Sequence, residues 1–345
     1  MSCKLAVPTA SLGRCSAGHL LETKLDAAKT YGYQGIELCF EDLLAVAGQG
    51  DTGTAAQEIK AMCKKRDLHI VCLQAFVEDE GALNRIEIQS KLRELAVWIQ
   101  LARILGTDMI MIPASDLPDE DMTRDIDMIV DDLRRAAEEG LREKPHIKIA
   151  YESRCSSTRI DKWEFCWDVI KKVGKDNFGM CLDIVHIAGR LFADPAAPSG
   201  LVPDGIKAVE LSMHRFVKRM KAHREKIFYV QFGNARRPDE PIVPGSSDYD
   251  ANERPRTIWS HNYRLFYGEE ARGAYLPMKD IAEAVFNCVH FEGWVSAELF
   301  NRRMDCEDLN VPNDLARRGA IAWRKLGNDM GWWPTLPIPA TDAIC

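Results

Sequence analysis

Short apolar runs alternate with longer amphipathic stretches along nearly the whole chain. Runs rich in Val, Ile, Leu and Met predict strands over residues 4–7, 35–39, 69–73, 109–112, 147–152, 178–183, 227–231 and 294–298. Between them, apolar residues recur at helical spacing. Leu21, Leu25 and Ala28 share one face over 19–31, with Gly32 as the stop. After a Gly-rich loop, Thr54-Ala-Ala-Gln57 matches a capping box and opens a helix running to residue 65. Ile88, Leu92, Leu95 and Ile99 define a helix over 85–105, stopped by Gly106. Ile126, Ile129, Val130 and Leu133 face inward over 121–141. Further helices are predicted over 161–173, 206–220 (Val209, Met213, Phe216 and Val217 on one face), 279–289 and 313–326.

Eight strands alternating with helices, without a linker, predict an α/β fold consisting of a single (β/α)8 TIM barrel over residues 1–330. An open doubly wound sheet would also alternate. It would carry a Gly-rich phosphate loop after an early strand, and the sequence has no GxGxxG or Walker pattern. Two pieces fall outside the repeat. Residues 232–276 are too long for a simple connection and contain Pro and Arg, which predicts a lid-like loop after strand seven. The Pro-rich tail 331–345 reads as extended, packed on the barrel or on a second subunit of a homo-oligomer.

Composition narrows the class rather than the fold. A hydrophobic share of 46% and a charged share of 28% are ordinary for a soluble globular chain. The net charge of −7 argues against a nucleic-acid partner. Eleven cysteines, an odd count without a CxxC pair, fit a reducing interior where the thiol acts as a small apolar filler. The first residues lack an apolar signal region, and no run approaches the ~20 apolar residues of a membrane helix. These features place the protein in the cytoplasm, away from membranes.

Chemistry enters at the strand ends. In a barrel of this type the C-terminal ends of the strands form the active site. Strand five ends at Glu152, strand six at Asp183, strand seven at Gln231 and strand eight at Glu298. Taken alone, Asp183 reads equally well as the cap of the next helix. Taken together, three carboxylates converging on one point repel unless a cation neutralises them. Oxygen ligands suit a hard divalent ion, and the neutral Gln231 with no imidazole in the set favours Mg²⁺, Mn²⁺ or Co²⁺ over Zn²⁺. His186, three residues beyond Asp183 on the emerging loop, is the candidate general base. Arg154 and Arg190 are candidates to hold a substrate carboxylate. So are Arg256 and His261 in a long segment that also carries Arg254 and Arg264.

Several stretches carry a resemblance. They are Gly35-Ile-Glu-Leu-Cys-Phe-Glu41, residues 101–113, Cys181-Leu-Asp-Ile-Val-His-Ile-Ala-Gly-Arg190, Trp259-Ser-His-Asn-Tyr-Arg-Leu-Phe266, Gly273-Ala-Tyr-Leu-Pro277 and Ser296-Ala-Glu-Leu-Phe-Asn301. The pattern resembles the xylose-isomerase-like barrels, with their Glu, Asp, His-or-Gln, Glu metal set on strands five to eight. Within that superfamily it resembles the fungal-type 3-dehydroshikimate dehydratases of quinate catabolism. The resemblance implies metal-dependent loss of water from 3-dehydroshikimate to give protocatechuate, with His186 removing the C4 proton and arginines holding the carboxylate. Related sugar isomerases and epimerases put a histidine where Gln231 stands. Some dehydratases have a second histidine where Arg154 stands, so here His186 would act largely alone. The alternatives are a metal-dependent sugar or hydroxy-acid isomerase or epimerase, an abasic-site endonuclease, and an inactive barrel. An endonuclease would need a His-rich multi-zinc site and a basic face.

Overall fold

The apolar runs form β1 (Lys4–Pro8), β2 (Gly35–Cys39), β3 (His69–Gln74), β4 (Met109–Pro113), β5 (Lys148–Glu152), β6 (Phe178–Asp183), β7 (Ile227–Phe232) and β8 (Trp294–Ala297). In the computed structural model, which describes residues 3–332, these strands pair in parallel with their sequence neighbours and close into a barrel. Every position of β2, β4 and β6 is buried, because helices cover the outside and side chains fill the inside. Ala6, Val71, Cys72, Met109, Met111, Ala150, Cys181 and Tyr229 make that inner filling. A larger apolar cluster lies between the strands and the helix ring. The β2–β3 register shifts between Ile36 and Glu37, and the β6–β7 register shifts between Met180 and Cys181. Both irregularities lie just below the functional end of the barrel, where a bulge re-aims side chains.

The helices depart from expectation in several places. Phe40–Ala47 is a helix where a loop was expected. Glu41 and Asp42 sit in its first turn, where carboxylates favour a helix start. The capping box at Thr54 does not form. The Asp51 carboxylate instead accepts the Thr54 N–H at 2.8 Å, so the helix Thr52–Lys65 begins earlier. Ile126 is the first residue of the helix Ile126–Leu141 and is 37% exposed, whereas Ile129, Val130 and Leu133 are buried. The helix expected over 279–289 is a short α-helix, Met278–Glu283, continued by a π-turn over Ala284–Cys288.

The segment after β7 is not one open loop. Asn234–Ala235 pairs antiparallel with Arg264–Leu265, and the helix Pro255–Asn262 lies between. Arg254 fastens this segment to the neighbouring loops, donating to Ser156 O (2.6 Å), Thr158 Oγ1 (2.6 Å) and Leu117 O (3.1 Å). At the other end of the chain, Trp332 packs its ring against Phe286 (5.0 Å) and Trp323 (4.9 Å). The rest of the Pro-rich tail lies outside the described residues. Cysteines among the described residues are all free thiols, and Cys39, Cys63, Cys72, Cys155, Cys166 and Cys181 are buried.

Candidate active site

The strand register brings the four candidate ligands to one level. Glu152 closes β5 opposite Pro113 and Cys181, Asp183 closes β6 opposite Gln231, and Gln231 lies opposite Ser296 two residues before Glu298. All four are buried. Asp183 has both roles that its position suggested. One oxygen, Oδ1, caps the helix Ile184–Leu191 by accepting the Val185 N–H at 2.8 Å, while Oδ2 faces the site. His186 therefore stands in the first turn of that helix and not on a loop, one turn beyond Asp183. Its Nε2 lies 3.5 Å from Asp183 Oδ2 and 3.8 Å from Glu152 Oε1.

Arg264 occupies the middle of this group. Its guanidinium donates to Asp183 Oδ2 at 2.6 Å, lies 3.2 Å from Glu298 Oε2, and places Nη2 2.9 Å from His186 Nε2. The residue is 1% exposed. Its backbone is held from two sides. Ala235 pairs with it in the short ribbon, its N–H donates to Phe300 O at 3.0 Å, and Asn301 Nδ2 donates to its carbonyl at 2.8 Å. The chain leaving β7 and the chain leaving β8 thus fix one arginine over the barrel axis.

Gln231 is tied to a group that the strand-end argument passed over. Its Nε2 donates to Glu298 Oε1 (2.8 Å) and to both oxygens of Glu37 (3.1 and 3.2 Å), while Oε1 accepts from Cys181 Sγ (3.2 Å). Glu37 is fully buried and also accepts from Gln74 Nε2 and Tyr229 Oη, each at 2.9 Å. An oxygen ligand at 231 requires this amide to turn over.

The charges do not balance within the protein. Burial, and next the charge of Asp183, push the Glu152 carboxyl up to about 8. Burial also holds Glu298 well above the ordinary carboxylate range, although Arg264 opposes it. At Asp183 burial acts in the same sense, but Arg264 and the other favourable partners together outweigh it and the pKa falls. Burial keeps His186 far below its usual value, so the ring is neutral.

The other predicted residues are placed as follows. Arg154 donates to Ala114 O (3.1 and 2.7 Å) and pairs with Asp116 at 3.2 Å. Arg190 pairs with Asp161. Arg256 donates to the carbonyls of Gly189 and Ala193. His261 is exposed with its ring against Phe300, and its charge is a minor influence on His186. The structure therefore gathers Glu152, Asp183, His186, Gln231 and Glu298, and it gives Arg154, Arg190 and Arg256 structural partners. Arg264 and Glu37 complete the group. The sequence signal for Arg264 was its place in the 259–266 stretch. For Glu37 it was a carboxylate in the middle of an otherwise apolar strand.

The model of the xylose isomerase-like TIM barrel family matches residues 25–326. This chain belongs to that family. A 3-dehydroshikimate dehydratase of Neurospora crassa is 47% identical over 343 residues, covering 96% of this chain and 95% of the relative. A Pseudomonas aeruginosa protein of the same name is 26% identical over 295 residues, covering 84% of this chain and 38% of that longer protein. The crystal structure of the probable 3-DHS dehydratase AsbF from Bacillus anthracis superposes with a TM-score of 0.60 at 17% identity. It covers 92% of this chain and 97% of that one, a likeness of fold.

The donor set of this xylose isomerase-like barrel fits a divalent cation. Ligand atoms of Glu152, Asp183 and His186 all lie within 4.8 Å of one another. Glu298 is joined to that group through Arg264. Three buried carboxylates face one guanidinium, and two of them resist ionising; a cation relieves that imbalance.

Proposed function

We infer that this protein is a 3-dehydroshikimate dehydratase, a hydro-lyase that removes water from 3-dehydroshikimate to leave the aromatic acid protocatechuate. The observation that carries the reading is the likeness to the Neurospora dehydratase over nearly the whole of both chains. The site chemistry agrees with it. His186 is buried with its Nε2 directed into the carboxylate group, and burial lowers its pKa, which supports its reading as the base that takes the C4 proton. The C5 hydroxyl leaves with a proton, and formation of the aromatic ring drives the sequence forward. Arg264 adds fixed positive charge where an oxyanion develops.

Glu152, Asp183, Gln231 and Glu298 are the proposed holders of Mg²⁺, Mn²⁺ or Co²⁺. When bound, the ion supplies a Lewis acid for the C3 ketone. The substrate carboxylate requires an arginine. Arg154 is the arginine we assign to it, because its charge acts on both Glu152 and His186. In this reading residues 1–330 are the catalytic unit, the segment 232–276 closes over the substrate, and the enzyme acts in cytoplasmic quinate catabolism. Its partner is a small anion rather than nucleic acid or membrane. None of the described helices is long and apolar enough to cross a membrane.

The test is direct. Purified protein supplied with each metal in turn is expected to convert 3-dehydroshikimate to a product with catechol absorbance, and EDTA is expected to stop it. Glu298→Gln and His186→Ala should each lose most of kcat. Full turnover by metal-stripped protein would sink the metal assignment, and no turnover with any of the three metals would sink the substrate assignment.

A further inference from the structure

The end of the barrel away from the carboxylate group holds a cleft of about 830 Å³, a volume typical of small-molecule sites. It lies where β1, β3 and β8 begin, with Lys4, His69 and Trp294 in its wall. Three helices end beside it. Gly32, Lys64 and Gly106 line the cleft at or just beyond the C-termini of Leu21–Thr30, Thr52–Lys65 and Arg85–Leu105.

Four lysines, Lys4, Lys29, Lys60 and Lys64, line this one cleft, and all four are exposed. Among the described residues none of the four has an ion-pair partner. Asp67 is the one carboxylate among the described lining residues, and His69 is neutral at pH 7 because burial lowers its pKa.

Part of the positive charge has a structural partner. Lys29 and Lys64 stand in the last turns of their helices, and Lys60 reaches over Gly106, where an added Cβ would lie 3.1 Å from its Nζ. A helix C-terminus carries roughly half a negative charge, so three of them and Asp67 supply about −2.5. Against four ammonium groups this leaves a surplus of about 1.5 positive charges in a concave surface. The surplus sits on a protein whose net charge is −7. Lys4 serves no helix end. Its Nζ lies 5.2 Å from the centre of the Trp294 ring, which stacks on His69 at 5.2 Å and 10°, and this stack builds one wall.

The donor type narrows the ligand. An ammonium group is a compact point charge that suits a tetrahedral oxyanion, whereas a planar carboxylate is matched best by a guanidinium. No arginine is among the described lining residues. Lysines from a strand and two different helices suit a chain of phosphates better than a single one.

We infer that this cleft binds a small polyphosphate anion of the triphosphate class. The site is separate from the carboxylate group and holds whatever reaction occurs there.

Titration calorimetry with sodium tripolyphosphate tests it, using full-length protein at fixed ionic strength in excess Mg²⁺, so that the anion cannot strip the carboxylate site. One anion per chain is expected to bind saturably, and orthophosphate about 10-fold more weakly because it reaches fewer of the ammonium groups. Lys60→Gln/Lys64→Gln should raise Kd about 10-fold or more through the loss of charge-assisted hydrogen bonds. Lys207→Gln/Lys218→Gln removes the same charge from the exposed face of the helix Gly205–Met220 and should change Kd by less than about 2-fold, since distant charges are screened. ATP in place of tripolyphosphate tells the source: tighter binding marks a nucleotide and weaker binding a free polyphosphate, and either upholds the site. Absence of saturable binding, equal weakening by the two lysine pairs, or orthophosphate binding as tightly as tripolyphosphate overturns the inference.

Discussion

Replacing Arg264 with methionine keeps most of the side-chain volume and removes the one guanidinium that bridges Asp183 and Glu298. Both carboxylates and the arginine are almost completely buried, so the variant leaves charge in the interior without a partner. Breaking such a pair typically costs about 3–5 kcal/mol. For a chain of 345 residues the entropy of unfolding is about 0.7 kcal/mol per kelvin, which converts that loss into a fall in Tm of about 4–7 °C. The loss should be fullest above about pH 8, where Glu152 has also ionised, and should shrink in acid as the carboxylates protonate. Calorimetry at about pH 8.5 with EDTA measures it. Adding Mn²⁺ should then raise Tm more in the variant than in the wild type, because the cation replaces a partner that the wild type already has. An unchanged Tm in EDTA, or equal metal-induced shifts in the two proteins, would refute the view that Arg264 neutralises this group.

Three further outcomes are expected. Glu152 has its pKa raised to about 8 from an ordinary 4.5, so between these values the native chain holds a proton that the unfolded chain has released. Metal-free protein should therefore lose stability as pH rises through that window, and metal binding near pH 7 should release protons. Titration calorimetry in buffers of different ionisation enthalpy reads that release, and a heat independent of buffer contradicts it. Lys24 and Asp42 form a fully buried pair at 2.7 Å. Lys24→Met should cost about 3–5 kcal/mol by urea unfolding, and Lys24→Met/Asp42→Leu clearly less; equal losses would mean that the orphaned charge is not the cause. A Cβ at Gly319 would lie 2.2 Å from Tyr33 Oη, whose hydroxyl donates to Ala316 O at 3.0 Å. Gly319→Ala should destabilise by about 1–3 kcal/mol in the same assay, and a neutral result would show that the tyrosine can move aside.

The barrel and its strand ends were legible because the strands are mostly buried on both faces and so appear as largely apolar runs. The level at which Glu152, Asp183, Gln231 and Glu298 meet then follows from parallel register. Helix starts were less legible. At Asp51 and Thr54 two polar side chains compete for the same orphan N–H groups, and the carboxylate prevails. Asp183 shows the opposite difficulty. A carboxylate has two oxygens, and the cap and the site claim one each, so treating the two readings as alternatives was mistaken. Arg264 was legible only as one of several arginines in a long segment, for a topological reason. Its position over the axis depends on a ribbon and a bridge that join segments far apart in sequence, and no local spacing reports them.

The double attachment of Asp183 has a consequence for how such a protein can change over time. A substitution that abolishes the acidic group at 183 also removes the cap of Ile184–Leu191, the helix that carries His186 and Gly189. Loss of function at this position is therefore penalised a second time as loss of fold. Asparagine is the informative exception, since its carbonyl can still cap while the charge is gone. A lineage that relaxed its chemistry would be expected to pass through asparagine here, whereas Glu298, with no helix to begin, can drift without that second penalty.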